Sequence, residues 1–425
     1  MPERAERSER ASHEDGFASR TFRSLRVANY RRFFLGMAVS ATGQWLQLVA
    51  QGWLVLKLTG SGVALGTVTA LQFLPILIGG AHGGVVADGF DKRRVLVVTQ
   101  SCAAVLALVL GLATAAGRAS IGLVYAMAFG LGCVNAVDNP TRRSFLSELV
   151  PVEDVANAVS LNTAVMTSAR IVGPALAGLL IGRAGLASCF LLNAASFAAV
   201  LVALWRIAPE ELHGARPQAP TPGMVRVGLR YAMGEPTVRL TLLMIGIIST
   251  AAFNYQVVMP LFAERVFGGD ATTYGLLLSC TSVGSLAGSL FTASRVRITL
   301  RFVIAAAFAF GVTMTAAALA PSLHTAYALV VPMGASGAAF VSAASGLLQM
   351  ATAAEFRGRV MALWAVVFLG STPIGGPLVG AASEAFGARS GLLIGGATSV
   401  VVAAVVAVAR ARRGAGFSRP PATPT

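Results

Sequence analysis

Twelve apolar runs, each long enough to cross a bilayer as a helix, recur along this chain of 425 residues and leave few folds open to it. They fall near 33–57, 63–86, 95–116, 119–139, 157–182, 186–206, 238–263, 273–293, 299–319, 325–348, 358–382 and 389–410. A helix satisfies its own backbone hydrogen bonds, which lipid cannot do for it. Composition agrees with such a bundle: 55% of the residues are apolar, 12% are charged, and mean hydropathy is +0.72. An all-α membrane protein is expected.

The charge is +15, which in a soluble protein would suggest nucleic acid as partner. The placement of the bases decides otherwise. Five Lys and Arg (Lys57, Arg118, Arg183, Arg265, Arg389) fall in the loops opposite the termini and Arg170 falls inside a span, leaving 27 of the 33 on the terminal side. That bias sets both termini in the cytoplasm of a cell membrane, with no nucleic-acid role. Residues 1–20 hold Arg and Glu without an apolar core, so no signal peptide is expected there. The four cysteines all lie in apolar runs without metal-like spacing, and the four histidines are scattered. With no nucleophile–base pattern and no phosphate loop, neither an enzyme nor a bound cofactor or metal is expected.

Polar residues inside the spans are expensive and so point to function. Ser40, Gln44, Gln47 and Gln51 follow one another at spacings of four, three and four and share one helix face. That face looks toward water or a cavity, or toward amides of other helices. Arg170 sits near the middle of the fifth span, where a charge costs about 2.5–3.5 kcal/mol even on lenient scales, and so requires a cavity or a partner. Asp138 lies near the cytoplasmic end of the fourth span. It reads as a proton carrier or as a fixed ion-pair partner, depending on whether Arg142, Arg143 or the loop at 89–94 reaches it; Pro140 argues for a bend between Asp138 and Arg142. Arg170 is deeper by about 15 Å of helix rise, too far for a direct pair with Asp138.

The chain also repeats itself. Gly173-Pro174 maps onto Gly376-Pro377 at a shift of 203 residues, and Gly84 onto Gly288 at 204. The same shift of 203 carries Gln47 and Gln51 to Thr250 and Asn254, which join the candidate binding residues. Two parallel six-helix halves with a site between them at mid-depth are implied. The layout expected is an N-terminal arm (1–32), a first half (33–206), a polar linker (207–237), a second half (238–410) and a tail (411–425).

Between the second and third spans runs Gly83-Gly84-Val85-Val86-Ala87-Asp88-Gly89-Phe90-Asp91-Lys92-Arg93-Arg94, a short charged hinge between two apolar runs. It is an ordinary positive cytoplasmic turn or something more specific. Gly84, Asp88, Arg93 and Arg94 resemble the loop signature of the major facilitator superfamily, with Gly89 where that signature has Arg. Asp138-Asn139-Pro140, Glu148-Leu149-Val150-Pro151, Asn157-Ala158-Val159 and Ala169-Arg170-x-x-Gly173-Pro174-Ala175 narrow the resemblance to the bacterial branch that includes the enterobactin exporter and macrolide-efflux permeases. Gly173-Pro174 is also similar to the fifth-helix motif of drug:proton antiporters, while the antiporters' Arg-x-x-Gln-Gly motif is absent from the fourth span. The resemblance implies the major facilitator fold and export of small amphipathic compounds such as drugs, macrolides or siderophores, coupled to protons, by a monomer in the bacterial inner membrane. With the resemblance, gating is expected at Gly84, Asp88, Arg93 and Arg94; the residues themselves put coupling at Asp138 and substrate binding at Gln44, Gln47, Gln51, Arg170, Thr250 and Asn254. Uptake of a small anionic nutrient and a non-transporting scaffold or receptor are the alternatives.

Overall fold

The computed structural model describes residues 21–213 and 224–416. Its long helices are α1 (Ala28–Thr59), α2 (Gly62–Gly89), α3 (Lys92–Ala115) and α4 (Ile121–Leu146). A helical stretch, Val155–Trp205, then folds back on itself at Gly185, whose φ of 77° and ψ of 172° only glycine adopts without strain. The fifth and sixth spans, α5 (155–184) and α6 (186–205), are therefore joined by a one-residue corner. The second series is α7 (Pro236–Val266), α8 (Ala271–Ala293), α9 (Leu300–Ala318), α10 (Leu323–Ala351), α11 (Ala354–Ala385) and α12 (Ser390–Gly416). With the corner at Gly185 counted as a turn, these are the twelve membrane-crossing helices that the apolar runs required, and no strand occurs among the described residues. Twelve crossings return both ends to one side, here called the terminal side; the opposite one is the far side.

Local chemistry sets the helix starts. Asp91, Ser120, Asp270, Thr299 and Ser322 each accept a hydrogen bond from the backbone N–H three residues on, which satisfies a donor that the first turn leaves open. Side chains at and just before the start of α1 dock onto the start of α5. Arg23 pairs with Asp154, Ser24 Oγ donates to Asn157 Oδ1 at 2.8 Å, and the Tyr30 hydroxyl donates to the Ala158 carbonyl at 2.9 Å. The first helix accordingly starts five residues before the apolar run.

Packing falls into two sets. Among the first six helices, α1 lies along α5 and α6, and α2 lies along α4; among the last six, α10 is flanked by α8 and α9, and α7 by α11 and α12. The sets meet through α2 against α11 and α5 against α8. Both crossings are backbone-close. A Cβ at Gly66 would fall 2.5 Å from the Gly376 carbonyl oxygen, and one at Gly178 would fall 2.6 Å from the Thr272 Cα. Helices without side chains at the contact can approach this far, which is how lipid-embedded helices gain packing energy. The repeated Gly-Pro pair stands at both crossings, since the Pro174 carbonyl faces Gly275 and the Gly376 carbonyl faces Gly66.

One helix is interrupted. α7 stops being helical at Phe253 and Asn254 (φ −92°, ψ 32° and φ −102°, ψ 43°), resumes at Tyr255 and ends in a π-type turn, Phe262–Val266. Asn254 Nδ2 donates to the Thr250 carbonyl at 2.7 Å, satisfying an acceptor at the end of the broken turn. Broken backbone at membrane depth is tolerated where it lines a cavity.

The linker also holds a short helix, Met224–Gly234, which the sequence reading does not anticipate. Tyr231 stacks on Phe356 with ring centroids 4.5 Å apart, and its hydroxyl accepts from the Ala353 N–H at 3.1 Å. This helix is thereby fixed to the start of α11.

Candidate functional site

Between the two helix sets lies a cavity of about 260 Å³. Trp45 on α1, Arg170 on α5, Asn254, Tyr255 and Gln256 at the break in α7, and Phe368 on α11 contribute to its wall. Trp45 and Leu48 also wall a second chamber, of about 180 Å³, that sits inside the first six helices. Amides dominate this second chamber: Gln44, Gln47, Gln51, Gln72, Gln100 and Asn193 all line it.

The structure thus separates residues that the sequence groups together. Gln44, Gln47 and Gln51 do share a face, but that face looks into the inner chamber. Gln47 is buried, and its Oε1 accepts from Asn193 Nδ2 at 2.6 Å; Gln44 is exposed, with its amide 3.4 Å from the Ser40 hydroxyl. Arg170 and Asn254 come together in the cavity between the sets. Thr250 does not join them. The break at Phe253 and Asn254 turns Asn254 into the cavity, whereas Thr250, still in the preceding helix, lines a lateral groove with Leu243, Leu363 and Thr398. The shift of 203 residues maps one unbroken helix onto a broken one, so two positions one turn apart in α1 are not on one face in α7.

Arg170 is exposed to the cavity, and its guanidinium carbon lies 5.7 Å from the centroid of the Trp45 ring, within range of a cation–π contact. It takes part in no ion pair or hydrogen bond among the described residues. Ser160, Thr163 and Thr167 precede it on α5 at spacings of three, four and three, which puts them on its helix face. Ser160 and Thr163 are exposed, each with its hydroxyl donating to the carbonyl four residues back. A polar strip therefore runs from the terminal end of α5 to Arg170.

Asp138 is fully buried, and Arg142 is the base that reaches it. One carboxylate oxygen accepts from Thr99 Oγ1 and from Gln100 Nε2, both at 2.7 Å; the other is paired with Arg142. α4 runs on through Pro140 despite the lost bond to the Ala136 carbonyl, and so keeps Arg142 one turn from Asp138.

Arg93 and Arg94 do not reach Asp138. Arg93 donates to the Leu204 and Trp205 carbonyls, at 2.6 and 3.0 Å, and caps the C-terminus of α6, where unpaired carbonyls and the helix dipole favour a cation. Arg94 is exposed and lies 3.7 Å from Asp91. Gly84 and Asp88 belong to α2, but the side-chain surroundings of 80–88 lie outside the described residues, and with them the expected latch at Asp88.

Among the described residues, the hydrogen bonds that tie one helix set to the other gather at the far side. Glu384, near the end of α11, accepts from the Ser61 hydroxyl at 2.8 Å and from the Val63 N–H at 3.2 Å, at the start of α2. Arg265 donates to the Gly60 carbonyl, and Thr272 Oγ1 donates to the Gly178 carbonyl at 3.2 Å. Trp53 stacks on Tyr274 across the same seam. The far side is closed by these contacts.

Sequence reasoning misses Trp45, Tyr255 and the amides Gln72, Gln100 and Asn193. None of these amides belongs to a run of polar residues at helical spacing like that of the glutamine face. The strip Ser160–Thr163–Thr167–Arg170 was available as a signal of the same kind as the glutamine face.

The family model described as "Transmembrane secretion effector" matches residues 19–418. The staphyloferrin A transporter of Staphylococcus aureus is 26% identical over 61% of this chain and 65% of its own length, just under two thirds. The multidrug efflux pump Tap of Mycolicibacterium fortuitum is 27% identical over 83% of this chain and 89% of its own. Among solved structures, a bacterial homolog of the human lysosomal transporter Spinster, inward-facing and unoccupied, superposes with a TM-score of 0.70 at 16% identity, covering 91% of this chain and 95% of that one.

Proposed function

This chain belongs to the transmembrane secretion effector family of major facilitator transporters, and from that premise we propose that it is a secondary exporter of small amphipathic compounds of the drug or siderophore type. It works as a monomer in the bacterial inner membrane with both termini in the cytoplasm, its two halves, 33–206 and 238–410, rocking about the cavity between them. The observation that carries this reading is the asymmetry, among the described residues, of the hydrogen bonds between the halves. They are closed on the far side, while a polar strip on α5 leads from the terminal side to Arg170. That is a state ready to load from the cytoplasm.

Export needs a driving force, and Asp138 is the group we assign to it. A proton reaching this carboxylate removes the charge that holds Arg142, and releases a guanidinium into the amide-lined chamber next to the cavity. On the cytoplasmic side, Gly84, Asp88, Arg93 and Arg94 form the latch of the opposite state; to join it, Arg93 leaves the carbonyls at the end of α6. Gln44, Gln47 and Gln51 act through the inner chamber, Arg170 and Asn254 through direct contact with cargo, and Thr250 by holding Asn254.

The test is accumulation of a compound panel by energised inside-out vesicles. The reading expects at least one amphipathic compound to accumulate severalfold and to be released by a protonophore. In proteoliposomes Asp138→Asn is expected to lose gradient-driven transport and to keep counterflow. Accumulation by right-side-out vesicles instead would make the protein an importer.

A further inference from the structure

We infer, building on the export reading of this same cavity, that the cargo is an organic anion: a carboxylate carried on an aromatic or otherwise apolar body. Two arginines lie within the spans around the two chambers, and the chain treats them differently. Arg142 is neutralised by Asp138, which is itself held by Thr99 and Gln100. Among the described residues Arg170 has no acid paired with it, and none of those that line its cavity is Asp or Glu. Its neighbour is the face of Trp45, which stabilises a cation without cancelling its charge. The cavity therefore carries an uncompensated positive charge at membrane depth, where a counter-ion is worth far more than in water. An arginine fork also matches a carboxylate in shape, through two parallel N–H donors.

The rest of the wall describes the rest of the molecule. Asn254 has spent its Nδ2 on the Thr250 carbonyl, and its Oδ1 is buried with no donor. That oxygen has no open surface toward the cavity, so the cargo meets Asn254 by shape rather than through a hydrogen bond. Phe73, Phe253 and Phe368 face the same space and accept a flat apolar body. About 260 Å³ lies just below the usual range for ligand pockets, which suits a small acid head and a ring system. A cationic amphiphile of the same size would put like charges together in low dielectric and would be rejected.

Calorimetric titration of the purified full-length protein with three probes of one shape tests this: 2-naphthoate, its methyl ester and 2-naphthylmethylamine. The acid is expected to bind at least tenfold more tightly than the ester, and the amine more weakly than either. In Arg170→Gln the acid should fall to within twofold of the ester while the ester is unchanged; Arg170→Lys, which keeps the charge but not the fork, should retain part of the preference. Equal binding of the three probes by the wild-type protein, no binding of any, or a preference that survives in Arg170→Gln overturns the inference. Vesicle assays separate it from the export reading. Naphthoate that binds with this preference yet is not accumulated by energised inside-out vesicles defeats export and leaves the anion site standing. Accumulation of the amine as readily as the acid defeats the anion site and leaves export standing.

Discussion

Asp138 and Arg142 form an ion pair removed from water, with 1% and 17% of their side chains exposed, and such a pair is costly to break from one end. Removing one partner of a buried pair leaves a lone charge and costs about 3–5 kcal/mol, whereas removing both costs much less. Asp138→Asn is therefore expected to lower the unfolding temperature of the purified protein, and adding Arg142→Gln to recover much of the loss. Strictly additive losses in this double-mutant cycle would mean that the pair contributes no coupling. The sequence made the pair conceivable through its spacing of four, and Pro140 argued against it. What the sequence could not supply was the second ring of contacts, because Thr99 and Gln100 lie on another helix with nothing in their own run to mark them. Thr250 and Asn254 show the opposite failure. Their spacing was legible, but the break that parts their faces was not, since only the packed cavity makes an interrupted α7 favourable.

At the scale of helices, the Gly-Pro repeat was legible and its meaning was only half so. A shift of 203 residues links Gly173-Pro174 to Gly376-Pro377 in the sequence; the glycines that meet their carbonyls, Gly275 and Gly66, carry no mark that distinguishes them from the other glycines of the chain. These crossings fix how closely the far side can shut. Gly66→Val would drive a side chain into the backbone of α11 and is expected to part α2 from α11. Spin labels at the exposed positions Leu58 and Phe386 would report a longer distance across the seam. Glu384→Ala should lengthen the same distance for a smaller share of molecules, because it removes the bonds to Ser61 and Val63 but no packing. Unchanged distances in both variants would mean that neither contact holds the seam.

For the whole molecule, the number of spans follows from apolar length, and the placement of bases gives the expected side of the termini, since a bilayer imposes those rules on any chain. Which face of each helix meets which partner does not follow, because in lipid the choice is made by close packing and by a few polar contacts rather than by burial. The account rests on alternation: the far-side seam must open for cargo to leave. Cysteines placed at Ser61 and Glu384, in a protein whose Cys102, Cys133, Cys189 and Cys280 are replaced by alanine, can be bridged with a short cleavable bifunctional thiol reagent. Transport of an accepted compound by reconstituted protein is then measured before bridging, after it, and after reductive cleavage. The account predicts that bridging stops transport while the compound still binds, and that cleavage restores the starting rate. Transport at the unbridged rate with the seam held shut would contradict it.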